Sequence, residues 1–65
     1  MVPYKLKIGD IVRLTSSEVP MTVNNYFRVF DKYTGFVECI WYSEKTEDYK
    51  SRKFHQNALI RLIEN

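Results

Sequence analysis

Few side chains in this sequence are suited to covalent chemistry. There is one cysteine, Cys39, and one histidine, His55. A nucleophilic thiol needs a base within hydrogen-bond reach, and a thiolate metal ligand needs partners at short spacing. Cys39 has no other Cys or His near it in sequence. Its neighbours at two-residue spacing are Val37 and Trp41. Strand alternation puts all three on one apolar face, where a free cysteine behaves as a small buried hydrophobe. Cys39 therefore reads as core. His55 follows Phe54, points to the opposite face and reads as a surface residue. Glu44, Glu47 and Asp48 lie in a Lys-flanked polar stretch. Solvated carboxylates there lack the burial that separates the pKa values of a catalytic pair. With no cofactor motif and no metal-ligand spacing, the chain is expected to be non-enzymatic and to hold no cofactor.

Binding chemistry is better represented. The 65 residues include five Tyr, four Phe and one Trp. A chain this short buries only ~60% of its unfolded surface, and aromatics at roughly 150–250 Å² each are the usual remedy. Trp41 shares a face with Val37 and Cys39 and reads as a core anchor. The opposite face is harder to explain. If residues 21–30 and 36–42 pair as a hairpin, Tyr26, Arg28, Phe30, Phe36, Ile40 and Tyr42 crowd one outer surface. An apolar patch rimmed by charge marks an interface unless something covers it. The N-terminal Tyr4, Leu6 and Ile8, or a C-terminal strand, are the candidate covers. The expected partner is a protein or peptide, and a homodimer is one form of that reading.

The alternative is nucleic acid, held by Arg28, Lys32, Lys50, Arg52 and Lys53, with Tyr49 and Phe54 able to stack on bases. The net charge of +2 is too mild to demand a polyanionic partner.

These side chains need strands to position them. Residues 1–8 read as a leader, and Gly9-Asp10 as a turn. Strands are expected at 11–15, 21–30, 36–42, 50–55 and 59–63, where β-branched and aromatic residues alternate with period two. In 21–30, alternation puts Met21, Val23, Phe27 and Val29 on one face, with Thr22, Asn24, Tyr26, Arg28 and Phe30 on the other. Asn24-Asn25 is a candidate bulge. Pro20 belongs before a strand, since it cannot donate to a ladder. Residues 31–35 are expected as a hairpin loop, 43–49 as an exposed loop and 56–58 as a 3₁₀ turn. No apolar run reaches the ~20 residues of a membrane span, and the first residues show no signal-peptide core. One cytoplasmic domain over residues 1–65 is the expectation.

Gly9-Asp10-Ile11-Val12-Arg13-Leu14, Pro20-Met21-Thr22-Val23, Cys39-Ile40-Trp41-Tyr42 and Phe54 through Ala58-Leu59 resemble the small YodC-like domains of bacteria. That family shows Gly-Asp-Val-Val, Met-Thr-Val, Cys-x-Trp-Phe and a Phe before a closing Ala-Leu in the same order. The resemblance spans residues 7 to 62. It implies an all-β, five-stranded SH3-like barrel and supplies no catalytic residues. Two loops depart from it. Ser16-Ser17-Glu18-Val19 stands where a glycine-rich loop is usual, and 43–49 is longer and lacks glycine.

Overall fold

The computed structural model describes residues 2–62. The strands are β1 (Ile11–Leu14), β2 (Met21–Val29), β3 (Lys32–Ser43), β4 (Asp48–His55) and β5 (Leu59–Arg61), with a 3₁₀ turn at Gln56–Ala58. All pairing is antiparallel, in one sheet of order β4-β3-β2-β1-β5. The fold is all-β, as expected. β4 and β5 form the two edges and do not pair, so the sheet is not closed by hydrogen bonds. No helix among the described residues is long and apolar enough to cross a membrane.

Alternation along β3 gives the sheet its two faces. Tyr33, Gly35, Val37 and Cys39 are buried, while Phe36 and Tyr42 between and beyond them are exposed. The inner face gathers Leu6, Val12, Met21, Val23, Tyr33, Val37, Cys39 and Leu59 into one core. Cross-strand pairs assemble it: Val12 opposite Met21, Leu14 opposite Leu59, and Val23 opposite Cys39. Each fully buried aliphatic side chain stabilises by roughly 1.5–3 kcal/mol. Trp41 is half-buried and packs against this core.

The expected alternation of β2 fails after Val23. The β2–β3 register shifts between Val23 and Asn25, and again between Tyr26 and Arg28. An extra residue inverts the facing of all that follow. Tyr26 thus opposes Val37 and turns inward. Phe27, expected inside, turns outward, where the Lys53 Nζ lies 3.9 Å from its ring centre.

The β2–β3 loop is also tighter than the expected 31–35. Val29 pairs with Lys32, leaving Phe30 and Asp31 as a two-residue turn. Their φ values of 51° and 64° are both positive, the pattern of a type I′ hairpin turn. Gly35 lies within β3 at φ 93°. A Cβ there would stand 2.8 Å from the His55 Nε2.

The leader crosses the inner face. Leu6 is buried, and Tyr4 stacks on Tyr33 at 4.3 Å between ring centres and meets Tyr26 edge-on at 4.7 Å. The buried amide of Gln56 ties it down. Its Oε1 accepts from the Lys5 N–H (3.2 Å) and the Tyr33 hydroxyl (2.8 Å), and its Nε2 donates to the Pro3 carbonyl (3.0 Å). The Tyr26 hydroxyl donates to the Leu6 carbonyl at 2.9 Å. Met1 of the expected leader and Ile63 of the expected last strand lie outside the described residues.

The two glycines should respond differently to alanine. At Gly9, nothing lies within 4 Å of an added Cβ, so Gly9→Ala should cost only the left-handed backbone strain, about 1 kcal/mol. Gly35→Ala adds a clash with a histidine ring held by Phe36 and Asn57, and should cost about 2–4 kcal/mol. Urea unfolding of both variants checks the order. Equal losses would contradict the packing at Gly35.

Candidate interaction surface

The outer face is built from the β3–β4 ladder. Its rungs are Phe36/His55, Glu38/Lys53, Ile40/Ser51 and Tyr42/Tyr49. Same-face residues repeat every two positions, so all eight side chains project outward. Phe36 is 40% exposed, Tyr42 51% and Tyr49 69%, while Ile40 is half-buried. Phe36 meets His55 edge-on at 5.0 Å, and Tyr42 meets Tyr49 edge-on at 5.3 Å. The two aromatic pairs stand about 20 Å apart along the strand. Between them the charges find local partners. The Glu38 Oε1 accepts from the Asn24 Nδ2 at 3.0 Å, and Lys53 caps the Phe27 ring.

Of the six residues expected on this face, Phe36, Ile40 and Tyr42 are there. Tyr26 is not, because the bulge turns it into the tyrosine cluster of the inner face. Arg28 opposes Tyr33 and shares that side. Phe30 sits at the hairpin tip, 93% exposed. Tyr49 and Phe27 join the face unforeseen, beside His55, which the sequence assigns to the surface. Tyr49 required the β3–β4 register, and Phe27 required the exact place of the bulge. Tyr4 and Leu6 of the leader cover the inner face instead, so they leave the outer aromatics bare.

The five basic residues do not line one groove. Lys50 and Arg52 oppose Trp41 and Cys39 and share their side of the sheet, whereas Lys53 opposes Glu38 on the other. Arg28 and Lys32 lie at the far hairpin. Lys32 and Trp41 stand nine positions apart on β3, about 30 Å.

Cys39 and His55 are also kept apart. Cys39 is fully buried on the inner face. Burial first, and the neighbouring Glu38 second, push its thiol up to about 11 from an ordinary 9.0. His55 opposes Phe36 on the outer face, and its Nδ1 accepts from the Asn57 N–H at 3.1 Å, capping the 3₁₀ turn. No cluster of His, Cys, Asp or Glu among the described residues could hold a metal ion. Burial, then the nearby Tyr26 and Tyr4, raises the Tyr33 hydroxyl above its ordinary value. Beside that ring lies a cavity of about 510 Å³, lined by Val2, Tyr4, Asp31, Lys32 and Tyr33.

These two raised groups set an alkaline limit on stability. The unfolded Cys39 thiol ionises near pH 9, while the folded one keeps its proton to about 11. Stability is therefore fully present below pH 9 and falls as pH rises through 11, by on the order of 2–3 kcal/mol. Tyr33 acts in the same direction from pH 10 upward. Urea midpoints should drop between pH 8 and pH 10.5, and Cys39→Ala should flatten the drop. A level wild-type profile would contradict the burial of the thiol.

No family model, no curated protein and no solved structure matches this chain.

Proposed function

We propose that this chain is a small non-enzymatic binding module that takes a protein or peptide partner on its outer sheet face. One observation carries the reading. Phe36, Tyr42 and Tyr49 stay exposed on that face while the leader packs on the opposite one. On so small a domain, aromatic surface of this kind is best explained by a partner that buries it. The non-enzymatic part is supported by the separation of Cys39 from His55 and by Glu44, Glu47 and Asp48 lying exposed in and beside the β3–β4 turn. The scattered basic residues favour a protein partner over nucleic acid.

An SH3-like barrel is part of the proposal. It is supported by the β2–β3–β4 meander, by β5 returning beside β1 and by the 3₁₀ turn that leads into it. The resemblance to bacterial YodC-like domains belongs here too. The residues that carry it include Val12, Met21, Val23, Cys39 and Leu59, all core residues. A cytoplasmic location, in keeping with a single unpaired thiol, completes the reading.

The test is site-specific photo-cross-linking in lysate of the source organism. A benzophenone amino acid at position 36 or 42 should yield a discrete protein adduct that survives nuclease. The same group at position 18, in the β1–β2 loop, should yield none. A Phe36→Ser/Tyr42→Ser double variant should lose about tenfold or more in affinity for the captured partner. Equal adducts at all three positions, or adducts lost on nuclease treatment, would refute the proposal.

A further inference from the structure

The β2–β3 hairpin tip holds a residue that the fold does not explain. Phe30 is 93% exposed at φ 51°. Bulky side chains rarely adopt positive φ, and a type I′ turn is best served by Asn-Gly or Asp-Gly. Phe30 thus carries a conformational penalty and an apolar exposure penalty together. Its ring contacts almost nothing of its own chain, so no packing within the monomer offsets either. Strain of this kind persists where it serves a contact.

The complementary feature lies at the same tip. The cavity of about 510 Å³ is walled by Val2, Tyr4, Tyr33, Asp31 and Lys32. Its size falls in the range of ligand-sized clefts, ~300–1,000 Å³, and its walls are mostly apolar. Asp31 and Lys32, one acidic and one basic, stand next to Phe30 on its rim. Neither makes an ion pair among the described residues. A protruding aromatic and an apolar cavity side by side are self-complementary under a two-fold axis, because each copy offers what the other lacks. Such an axis through the tip would bring Asp31 of one copy toward Lys32 of the other, two residues that share the cavity rim within each chain.

We propose that the chain pairs with a second copy of itself at the hairpin tip, each Phe30 entering the partner's cavity beside Tyr4 and Tyr33. Asp31 and Lys32 pair reciprocally at the rim. The contact is small, so the dimer is weak and forms in the micromolar range. It uses none of Phe36, Tyr42 and Tyr49, and leaves the outer face of both copies free.

Sedimentation across micromolar to millimolar concentrations tests this on the full chain. The wild type should show a monomer–dimer equilibrium. Phe30→Gly suits positive φ, so it should keep or raise the urea midpoint while weakening the dimer by on the order of a hundredfold, one aromatic anchor being lost on each side. Lys32→Glu sets an acid against the partner's Asp31 and should weaken the dimer about tenfold. In a mixed sample of labelled and unlabelled chains, filtered NMR should show intermolecular contacts from the Phe30 ring to the Tyr4 and Tyr33 rings. A wild type that stays monomeric throughout would overturn the proposal. So would a Phe30→Gly dimer as tight as wild type, an unaffected Lys32→Glu variant, or intermolecular contacts confined to other surfaces.

Discussion

The buried side-chain amide of Gln56 holds together parts of the chain that the sheet alone would leave apart. It joins Lys5 and Pro3 of the leader to Tyr33 of β3, from within the 3₁₀ turn that launches β5. A buried amide left without partners costs about 1–3 kcal/mol for each orphaned group, so the three bonds are mutually dependent. They fix which face the leader covers. With Leu6 and Tyr4 drawn over the inner side, the single sheet gains a second layer where it needs one. The outer aromatics lose the cover that the leader would otherwise have given them. The exposed aromatic face is thus a by-product of how the core is sealed.

The second constraint is the pair of register shifts between β2 and β3. A sheet with one buried face must bend to enclose its core, and bulges supply the bend. The first shift turns Tyr26 into the cluster with Tyr4 and Tyr33, where its hydroxyl reaches the Leu6 carbonyl. The same shift sends Phe27 out beneath Lys53. Core and surface therefore exchange an aromatic at this point. The long edge strand β4 is left open, but Lys50, Arg52 and Lys53 line it, the usual protection against unwanted pairing.

The hairpin tip shows the opposite balance. Elsewhere, local preference and tertiary packing agree: Gly35 takes the positive φ where no side chain fits, and His55 caps the turn beside it. At Phe30 they conflict. A consistent sequence would put Asn or Gly there. The conflict sits beside the cavity, which is where a contact with another molecule would resolve it.

Much of this was legible from residue order. Strict alternation in Val37-Cys39-Trp41 against Phe36-Ile40-Tyr42 assigned β3's faces, and Cys39 was identifiable as core, because period two is intrinsic to the strand. The all-β class and the 3₁₀ turn at 56–58 followed from composition and spacing. Asn24-Asn25 marked the site of a bulge, but not how many residues it would insert, and that count alone decides the facing of Tyr26 and Phe27. The turn at Phe30-Asp31 carried no glycine to announce it, so Gly35 drew the expected loop to itself. The partner of Tyr42, the side taken by the leader and the scatter of the five basic residues depend on pairings between segments distant in sequence. Local periodicity determined what each strand shows to either side. Only the long-range register and the Gln56 clamp decided which side became the surface.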